Sequence, residues 1–250
     1  MPPNALPDTN ATLDAKESKT TILVTGFGPF RKQFPVNPSF EIVRSLPEVL
    51  PNGTSKSNVV RIIAYGSPIR VSYAETRELL PPLLEAYHGT IDLVLHIGMA
   101  SGRQFYAAER YAHRNDYDKN PDLDGRVQSR YETEQLYGDC PDLMTTSLDY
   151  EELIQRWQKS IADIPAGSSA HNADCRPSDD AGHYLCDYTY FNSLVWYGRQ
   201  NKQLEDGGSA DRPVMFLHVP AESDETTLDK GRVVTMSLLQ AMADTHNAIK

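Results

Sequence analysis

The feature that most constrains this 250-residue sequence is an alternation of short apolar runs with longer amphipathic stretches. Thr21–Thr25 lacks the polar alternation of a half-exposed strand, and Ile91–Ile97 and Val214–Val219 are almost wholly apolar. Such runs are typical of strands buried on both faces of a sheet. The pattern predicts an α/β fold, a three-layer α/β/α sandwich with a mostly parallel, twisted sheet and helices on both faces.

The amphipathic stretches between these runs predict the helices. Asn37 and Pro38 have the residue types of an N-cap and a first helical position. A second helix is expected over Ser72–Leu84, where Pro81 and Pro82 should kink or end it. The remaining predictions are a strand over Val59–Ala64 and helices over Tyr150–Ile161, Leu185–Arg199 and Thr226–Ile249.

The chain shows no internal repeat and no strong linker after residue 20. Residues 1–20 are polar and contain several prolines, so we expect a disordered leader there and a single α/β domain over residues 21–250. The stretch from Asn115 to Asp142 is rich in Asp, Gly and Pro and is predicted to be a long irregular loop.

Charge and cysteine content exclude several function classes. A net charge of −10 opposes the capture of nucleic acid or anionic lipid, and no run approaches the roughly 18 apolar residues of a membrane span. Cys140, Cys175 and Cys186 form an odd, widely spaced set without a C-x-x-C pair, which argues against a disulfide framework or a zinc site. These features predict a cytoplasmic protein with no nucleic-acid or membrane partner.

Cofactor and hydrolase motifs are also missing from the sequence. The turn from Gly26 to Phe30 contains G-x-G, but Pro29 and Phe30 break the dinucleotide pattern, and no Walker lysine motif occurs. Neither H-E-x-x-H nor G-x-S-x-G occurs, so zinc peptidases and serine hydrolases have no motif support. The turn does offer two aromatic rings, Phe27 and Phe30, which either stand exposed at a strand end or fill the core.

Cys186 is the best candidate for a reactive side chain. If a helix begins near Leu185, the thiol lies in its first turn, where the helix dipole and free N–H groups favour a thiolate and can bind an oxyanion. From the residue alone, a buried core cysteine is the more common alternative. Cys140 and Cys175 lack this setting, and we expect neither to be catalytic.

Two further residues are candidates on weaker grounds. His218 lies near the end of an apolar strand, where sites collect in α/β sheets, although a core histidine is an equal alternative and His96 is a rival. Glu109 stands in a mixed apolar segment after the turn from Gly98 to Gly102, and by residue type alone a surface ion pair is the commoner role.

The motifs together resemble the pyroglutamyl peptidase I family of cysteine peptidases, in its eukaryotic form. V-T-G-F-G-P-F from Val24, D-A-G-H-Y-L-C-D from Asp180 and F-L-H-V-P from Phe216 are similar to the family's N-terminal, thiol and histidine motifs, and Glu109 follows a strand and a glycine turn as the family's glutamate does. Four matches in family order, across residues 21–250, make the resemblance specific. Met99 stands where bacterial members have glutamine, and the segment from Arg110 to Arg114 also departs from theirs.

The resemblance implies a peptidase that removes N-terminal pyroglutamate (5-oxoproline) from peptides through a thioester, without metal or organic cofactor. By the same resemblance, Cys186 is the nucleophile, His218 the base and then the acid, and Glu109 the group that orients His218. By the resemblance, the substrate pocket is lined by Phe27, Phe30, Tyr184 and Leu185. Because the family contains monomers and tetramers, a homo-oligomer is compatible with it.

Two alternatives stay open at this point. A related cysteine amidohydrolase with a different acyl specificity would account for Met99 and the altered segment before Arg114. A non-catalytic binding protein on the same scaffold is the other alternative, and the three catalytic residue types speak against it.

Overall fold

The computed structural model describes residues 18–51, 58–204 and 212–249. Strands and helices alternate along most of this part of the chain, as the apolar runs predict. The elements are β1 (Ser18–Gly26), α1 (Pro38–Ser45), β2 (Asn58–Ala64), α2 (Tyr73–Tyr87), β3 (Leu93–Met99), β4 (Tyr106–Glu109), β5 (Tyr111–His113), α3 (Arg130–Tyr137), β6 (Leu143–Thr145), α4 (Tyr150–Ala162), β7 (Cys175–Ser178), α5 (Leu185–Gln200), β8 (Val214–Val219) and α6 (Glu225–Ile249).

The central sheet has six strands in the order β2-β1-β3-β8-β4-β7. The first four strands in this order run parallel to one another, whereas β4 is antiparallel to β8 and parallel to β7. A separate two-stranded sheet joins β5 and β6 in antiparallel fashion. The prediction of a mostly parallel sheet is confirmed.

Two hydrophobic clusters pack on the two faces of this sheet. One cluster combines apolar residues of α1, α4 and α6 with one face of the central strands, and the other does the same for α2 and α5. Helices therefore cover both faces, as in the predicted three-layer sandwich. None of the described helices combines the length with the apolar composition needed to cross a bilayer.

The first strand begins before the boundary that the sequence suggested. Ser18, Lys19 and Thr20 belong to β1, because their backbones continue the parallel ladder with β2. The prediction of a leader over residues 1–20 is therefore wrong for its last three residues. The other seventeen lie outside the described residues.

The second helix does not end at its two prolines. Pro81 and Pro82 lie inside α2, which continues to Tyr87 although each proline removes one backbone donor from the helix. Leu80 and Leu84 on either side are fully buried in the cluster shared with α5. Their burial offsets the lost hydrogen bonds, because tertiary packing contributes more to helix stability than intrinsic propensity.

The stretch predicted as one irregular loop contains a helix. Helix α3 begins after Ser129, whose side chain accepts a hydrogen bond from the N–H of Glu132, while the Glu132 carboxylate accepts one from the backbone of Ser129. This reciprocal capping box satisfies donors that a short helix would otherwise leave free. The loop prediction from residue 115 to 142 is therefore wrong over Arg130–Tyr137.

Candidate active site

Cys186 occupies the second position of helix α5, as predicted. The N-cap residue Tyr184 makes no side-chain hydrogen bond to the first turn, which leaves the N–H groups there available to a ligand. The sulfur lies close against β3: a Cβ added to Gly98 would stand 2.8 Å from Sγ of Cys186. The absence of a side chain at Gly98 therefore makes room for the thiol at the sheet.

His218 and Glu109 meet on neighbouring antiparallel strands. His218 lies near the end of β8, as predicted, and Glu109 is the last residue of β4. The ladder pairs Ala107 with His218, so Glu109 lies two residues further along β4 and its side chain is on the same face. Nδ1 of His218 lies 2.7 Å from Oε1 of Glu109, and both side chains are buried.

The β3–β8 register brings the thiol to the same place. Gly98 pairs with His218, so the sulfur that packs against Gly98 also lies beside the imidazole. Burial alone would lower the pKa of His218, but the negative charges of Cys186 and Glu109 outweigh it and raise the pKa to about 9. Sulfur, imidazole and carboxylate thus form one interacting line, with the imidazole in the middle.

Arg103 contacts this line, and sequence reasoning missed it. Its Nη1 donates to Oε1 of Glu109 at 2.6 Å, and its Nη2 donates to the backbone oxygen of Asp180 at 2.8 Å. Arg103 therefore connects the carboxylate to the loop that leads into α5. The contact depends on how the turn between β3 and β4 folds. No pattern in the sequence predicts that this turn brings the side chain of Arg103 to Glu109.

An apolar pocket opens beside Cys186. The space between its walls, including the part that opens to solvent, amounts to about 300 Å³. The four predicted pocket residues all line it, and Asn37, Val71 and Met99 complete the wall. The side chains that the sequence proposed for a substrate are therefore together in one cavity next to the thiol.

The aromatic turn after β1 forms one wall of this pocket. Phe27 is 2 % exposed and packs in the core near Phe216, so the interpretation that both rings stand exposed is wrong for Phe27. Asn37 donates to the carbonyl of Gly28 at 2.8 Å, and Ser39 accepts from the N–H of Phe27 at 2.9 Å. These bonds fix the turn to the start of α1. Asn37 is also the N-cap of α1, as its sequence position predicts.

The rival histidine and the other cysteines have ordinary structural settings. His96 is fully buried between Thr25 and Ser193, at 2.7 Å and 2.8 Å from their hydroxyls, and burial lowers its pKa to about 3. Burial raises the pKa of Cys140 to about 11 and that of Cys175 to about 12. His96 is therefore a neutral core histidine, and the thiols of Cys140 and Cys175 are inert.

The sequence matches the model of the pyroglutamyl peptidase family over residues 20–250. It is 28 % identical over 231 residues to the pyrrolidone-carboxylate peptidase of Thermosipho africanus, covering 91 % of this chain and 96 % of that one. It is 26 % identical over 231 residues to human pyroglutamyl-peptidase 1, covering 92 % of both.

The fold is similar to that of solved structures with the same name. The pyrrolidone carboxyl peptidase of Thermococcus litoralis superposes with a TM-score of 0.66 at 19 % identity, covering 92 % of this chain and 96 % of that chain. At this identity the likeness concerns the fold, whereas the match over residues 20–250 concerns the sequence itself. This chain belongs to the pyroglutamyl peptidase family.

Proposed function

We propose that this protein is a cysteine peptidase that removes N-terminal pyroglutamate from peptides. The observation that carries the proposal is the line of Cys186, His218 and Glu109 beside an apolar pocket, in a chain of the pyroglutamyl peptidase family. A thiol, a base and an orienting carboxylate are the parts that a cysteine acyl-transfer site needs.

The first chemical step is acyl transfer to Cys186. His218 takes the thiol proton, and the sulfur attacks the carbonyl carbon that joins pyroglutamate to the next residue. The N–H groups at the start of α5 stabilise the negative oxygen of the tetrahedral intermediate. As the C–N bond breaks, the imidazolium gives its proton to the departing amine and a thioester remains.

Hydrolysis of the thioester completes the cycle. Water enters after the shortened peptide has left, and His218 removes its proton as the oxygen attacks the acyl carbon. The C–S bond then breaks, free pyroglutamate leaves, and the proton returns to the sulfur. Every proton in the cycle passes through one imidazole, so no metal or organic cofactor is required.

Glu109 and Arg103 support His218 in this scheme. Glu109 accepts a hydrogen bond from Nδ1–H of the imidazole, which directs Nε2 towards the sulfur and stabilises the imidazolium. Arg103 donates to the same carboxylate oxygen and so holds Glu109 in place. We assign Arg103 as a positioning residue, because it acts through Glu109.

Desolvation explains why the site would favour a lactam. Pyroglutamate has no α-ammonium group, whereas an ordinary peptide N-terminus is charged at neutral pH. Five of the side chains that line the pocket are uncharged and cannot form an ion pair with such a group: Phe27, Phe30, Tyr184, Leu185 and Val71. Burying an unpaired ammonium there would cost several kcal/mol, roughly the penalty for an uncompensated buried ion.

The direct test is turnover of a pyroglutamyl-coumarin amide under reducing conditions. We expect release of the fluorophore, block by iodoacetamide, and a loss of at least ~10²-fold in Cys186→Ser. Cys175→Ser is the matched control, because that thiol is buried away from the site, and it should keep full activity. Absence of turnover by the folded wild-type protein would rule the proposal out.

A panel of N-acyl amides separates the proposal from its nearest alternative. Met99 lines the pocket, so its thioether shapes the space that an acyl group would enter. Prolyl, acetyl and alanyl coumarin amides should be at least about 10²-fold poorer substrates than the pyroglutamyl amide. Preference for another acyl group would identify a related amidohydrolase instead.

We also propose a cytoplasmic location. The three cysteines of the sequence are all free in the structure, including the thiol beside His218. Such a thiol stays reduced in the cytosol, whereas an oxidising compartment would modify it. Fractionation of cells followed by the pyroglutamyl assay would test this, and activity confined to a secreted fraction would contradict it.

A further inference from the structure

A second group of imidazoles and a carboxylate includes Asp187, the residue that follows Cys186. His113 at the end of β5, His183 in the loop before α5, and Asp187 in the first turn of α5 each place a ligand atom within 4.8 Å of the others. The two imidazole rings stand 4.5 Å apart between centroids, tilted by 55°. The reaction scheme uses none of these side chains.

In each of the two imidazoles, one ring nitrogen lies within hydrogen-bond distance of an oxygen atom. Nδ1 of His113 lies 3.3 Å from both carboxylate oxygens of Asp187, and Nδ1 of His183 lies 3.2 Å from the backbone oxygen of Asn115. A proton on Nδ1 serves these acceptors and leaves the lone pair on Nε2. In the described residues, no hydrogen bond to Nε2 of either ring occurs.

This arrangement has the form of a metal-binding site. Histidines that bind metals donate their other ring N–H to a carboxylate or a backbone carbonyl, which fixes the tautomer and the ring orientation. Here His113 has the carboxylate and His183 has the carbonyl. Imidazole nitrogen is a preferred ligand of Zn²⁺, Cu²⁺ and Ni²⁺.

Charge and access also suit a cation. Asp187 is fully buried, and its carboxylate accepts hydrogen bonds from the hydroxyl of Tyr117 at 2.9 Å and the N–H of His113 at 3.1 Å. These two donors are uncharged, so a cation bound at the His113 ring would help to balance the charge of the carboxylate. His113 and His183 are half-buried, so the ion can reach the rings from solvent.

We propose that this cluster binds one divalent transition-metal ion of the zinc class, through the imidazoles of His113 and His183, with Asp187 orienting His113 and balancing the charge. The ligand atoms of the cluster lie within 4.8 Å of one another, whereas those around a tetrahedral zinc ion stand about 3.3 Å apart, so the two rings must move closer together when the ion binds. Gly182, which has a positive φ of 81° beside His183, gives the loop a point of adjustment. Water fills the remaining coordination positions.

The test must separate this cluster from the thiol, which also binds soft metals. Zn²⁺ binding is measured by equilibrium dialysis on the full chain carrying Cys186→Ser, which removes the sulfur. We expect one ion per chain, and at least tenfold weaker binding when His183→Gln is added. His88→Gln is the matched control, because that exposed imidazole is remote from the cluster, and it should leave the affinity unchanged.

Imidazole ¹H–¹⁵N spectra of the Cys186→Ser protein give a readout that needs no histidine substitution. Zn²⁺ should shift the ring signals of His113 and His183 and leave those of His88 in place. The proposal is overturned if His183→Gln binds as tightly as its parent, or if removal of the Cys186 sulfur abolishes binding. It is also overturned if the ion shifts the His218 ring alone.

Discussion

Two buried carboxylates in this protein each hold an imidazole: Glu109 holds His218 beside the sulfur of Cys186, and Asp187, the residue after Cys186, holds His113. Glu109 lies 2.7 Å from Nδ1 of His218, and Asp187 lies 3.3 Å from Nδ1 of His113. In both cases the carboxylate side chain is fully buried. Both imidazoles have a raised pKa, in His113 chiefly through its hydrogen bond to Asp187, and in His218 through Cys186 and Glu109, which outweigh burial.

The pairs differ in what lies beyond the imidazole. His218 is only 5 % exposed and faces the sulfur of Cys186, so a proton on its ring passes directly to reacting atoms. His113 is 21 % exposed and faces another imidazole, His183. The residue types of a buried carboxylate–imidazole pair therefore do not by themselves make the pair catalytic. The group opposite the second ring nitrogen decides its role.

The largest expected difference follows from removing each imidazole. His218→Gln should reduce kcat/KM by about 10³-fold, because the site loses both the base that activates the thiol and the acid that protonates the amine. His113→Gln should reduce it by less than about tenfold, because that ring takes no part in proton transfer. Steady-state assays with a pyroglutamyl amide measure both, and equal losses would erase the distinction between the pairs.

The next difference concerns the carboxylates. His218 must hold a proton to act as an acid, and Glu109 helps to keep its pKa raised to about 9. Activity of the wild type should therefore fall as pH rises through about 9. This decrease in activity at high pH is the alkaline limb of the pH–activity profile. Glu109→Gln should reduce kcat/KM by about 10²-fold and move the alkaline limb to lower pH, because the imidazolium loses a negative neighbour.

Asp187→Asn is the matched variant for that experiment. It should leave the alkaline limb in place and lower the free energy of unfolding by about 1–3 kcal/mol, because the buried donors around Asp187 lose a charged acceptor. If the limb shifts in Asp187→Asn and not in Glu109→Gln, the two pairs have exchanged roles.

The sequence predicted the elements that carry Cys186 and His218 because each carries a local signal. A glycine turn followed by helical spacing locates the start of α5, and an apolar run before Pro220 locates the end of β8. Strand β4 has only four residues and pairs with β8 in antiparallel fashion. Nothing in its residue types indicates that pairing, so Glu109 was found by resemblance to a family and not by pattern.

No pattern in the sequence predicts which side chains contact one another in the folded protein. Arg103 meets Glu109 through a turn, and Asp187 meets His113 across 74 positions of the chain. Both depend on side-chain reach in the folded molecule, whereas hydrophobic periodicity reports only which face of an element is buried. The same limit explains why the sequence did not predict the pairing of His113 with Asp187.

Arg103 offers a smaller effect that sharpens the comparison. Arg103→Met should reduce kcat/KM by about tenfold, because Glu109 loses the donor that holds it against His218. The alkaline limb should move to higher pH, opposite to Glu109→Gln, because a nearby guanidinium opposes the imidazolium. Arg103→Lys keeps the charge and should retain the wild-type limb. A loss of activity with no shift in Arg103→Met would mean a structural role only.

The smallest effect is on stability and belongs to the second pair. The pKa of His113 is raised in the folded protein, so protonation of this imidazole stabilises the fold at low pH, and that contribution fades as pH rises through the raised pKa. Wild type should exceed His113→Gln by about 1 kcal/mol in the free energy of unfolding near pH 6. The difference in free energy of unfolding between the two proteins should become smaller as pH rises through the raised pKa of His113. Urea titrations at several pH values measure it, and a gap that is independent of pH would show that His113 contributes packing alone.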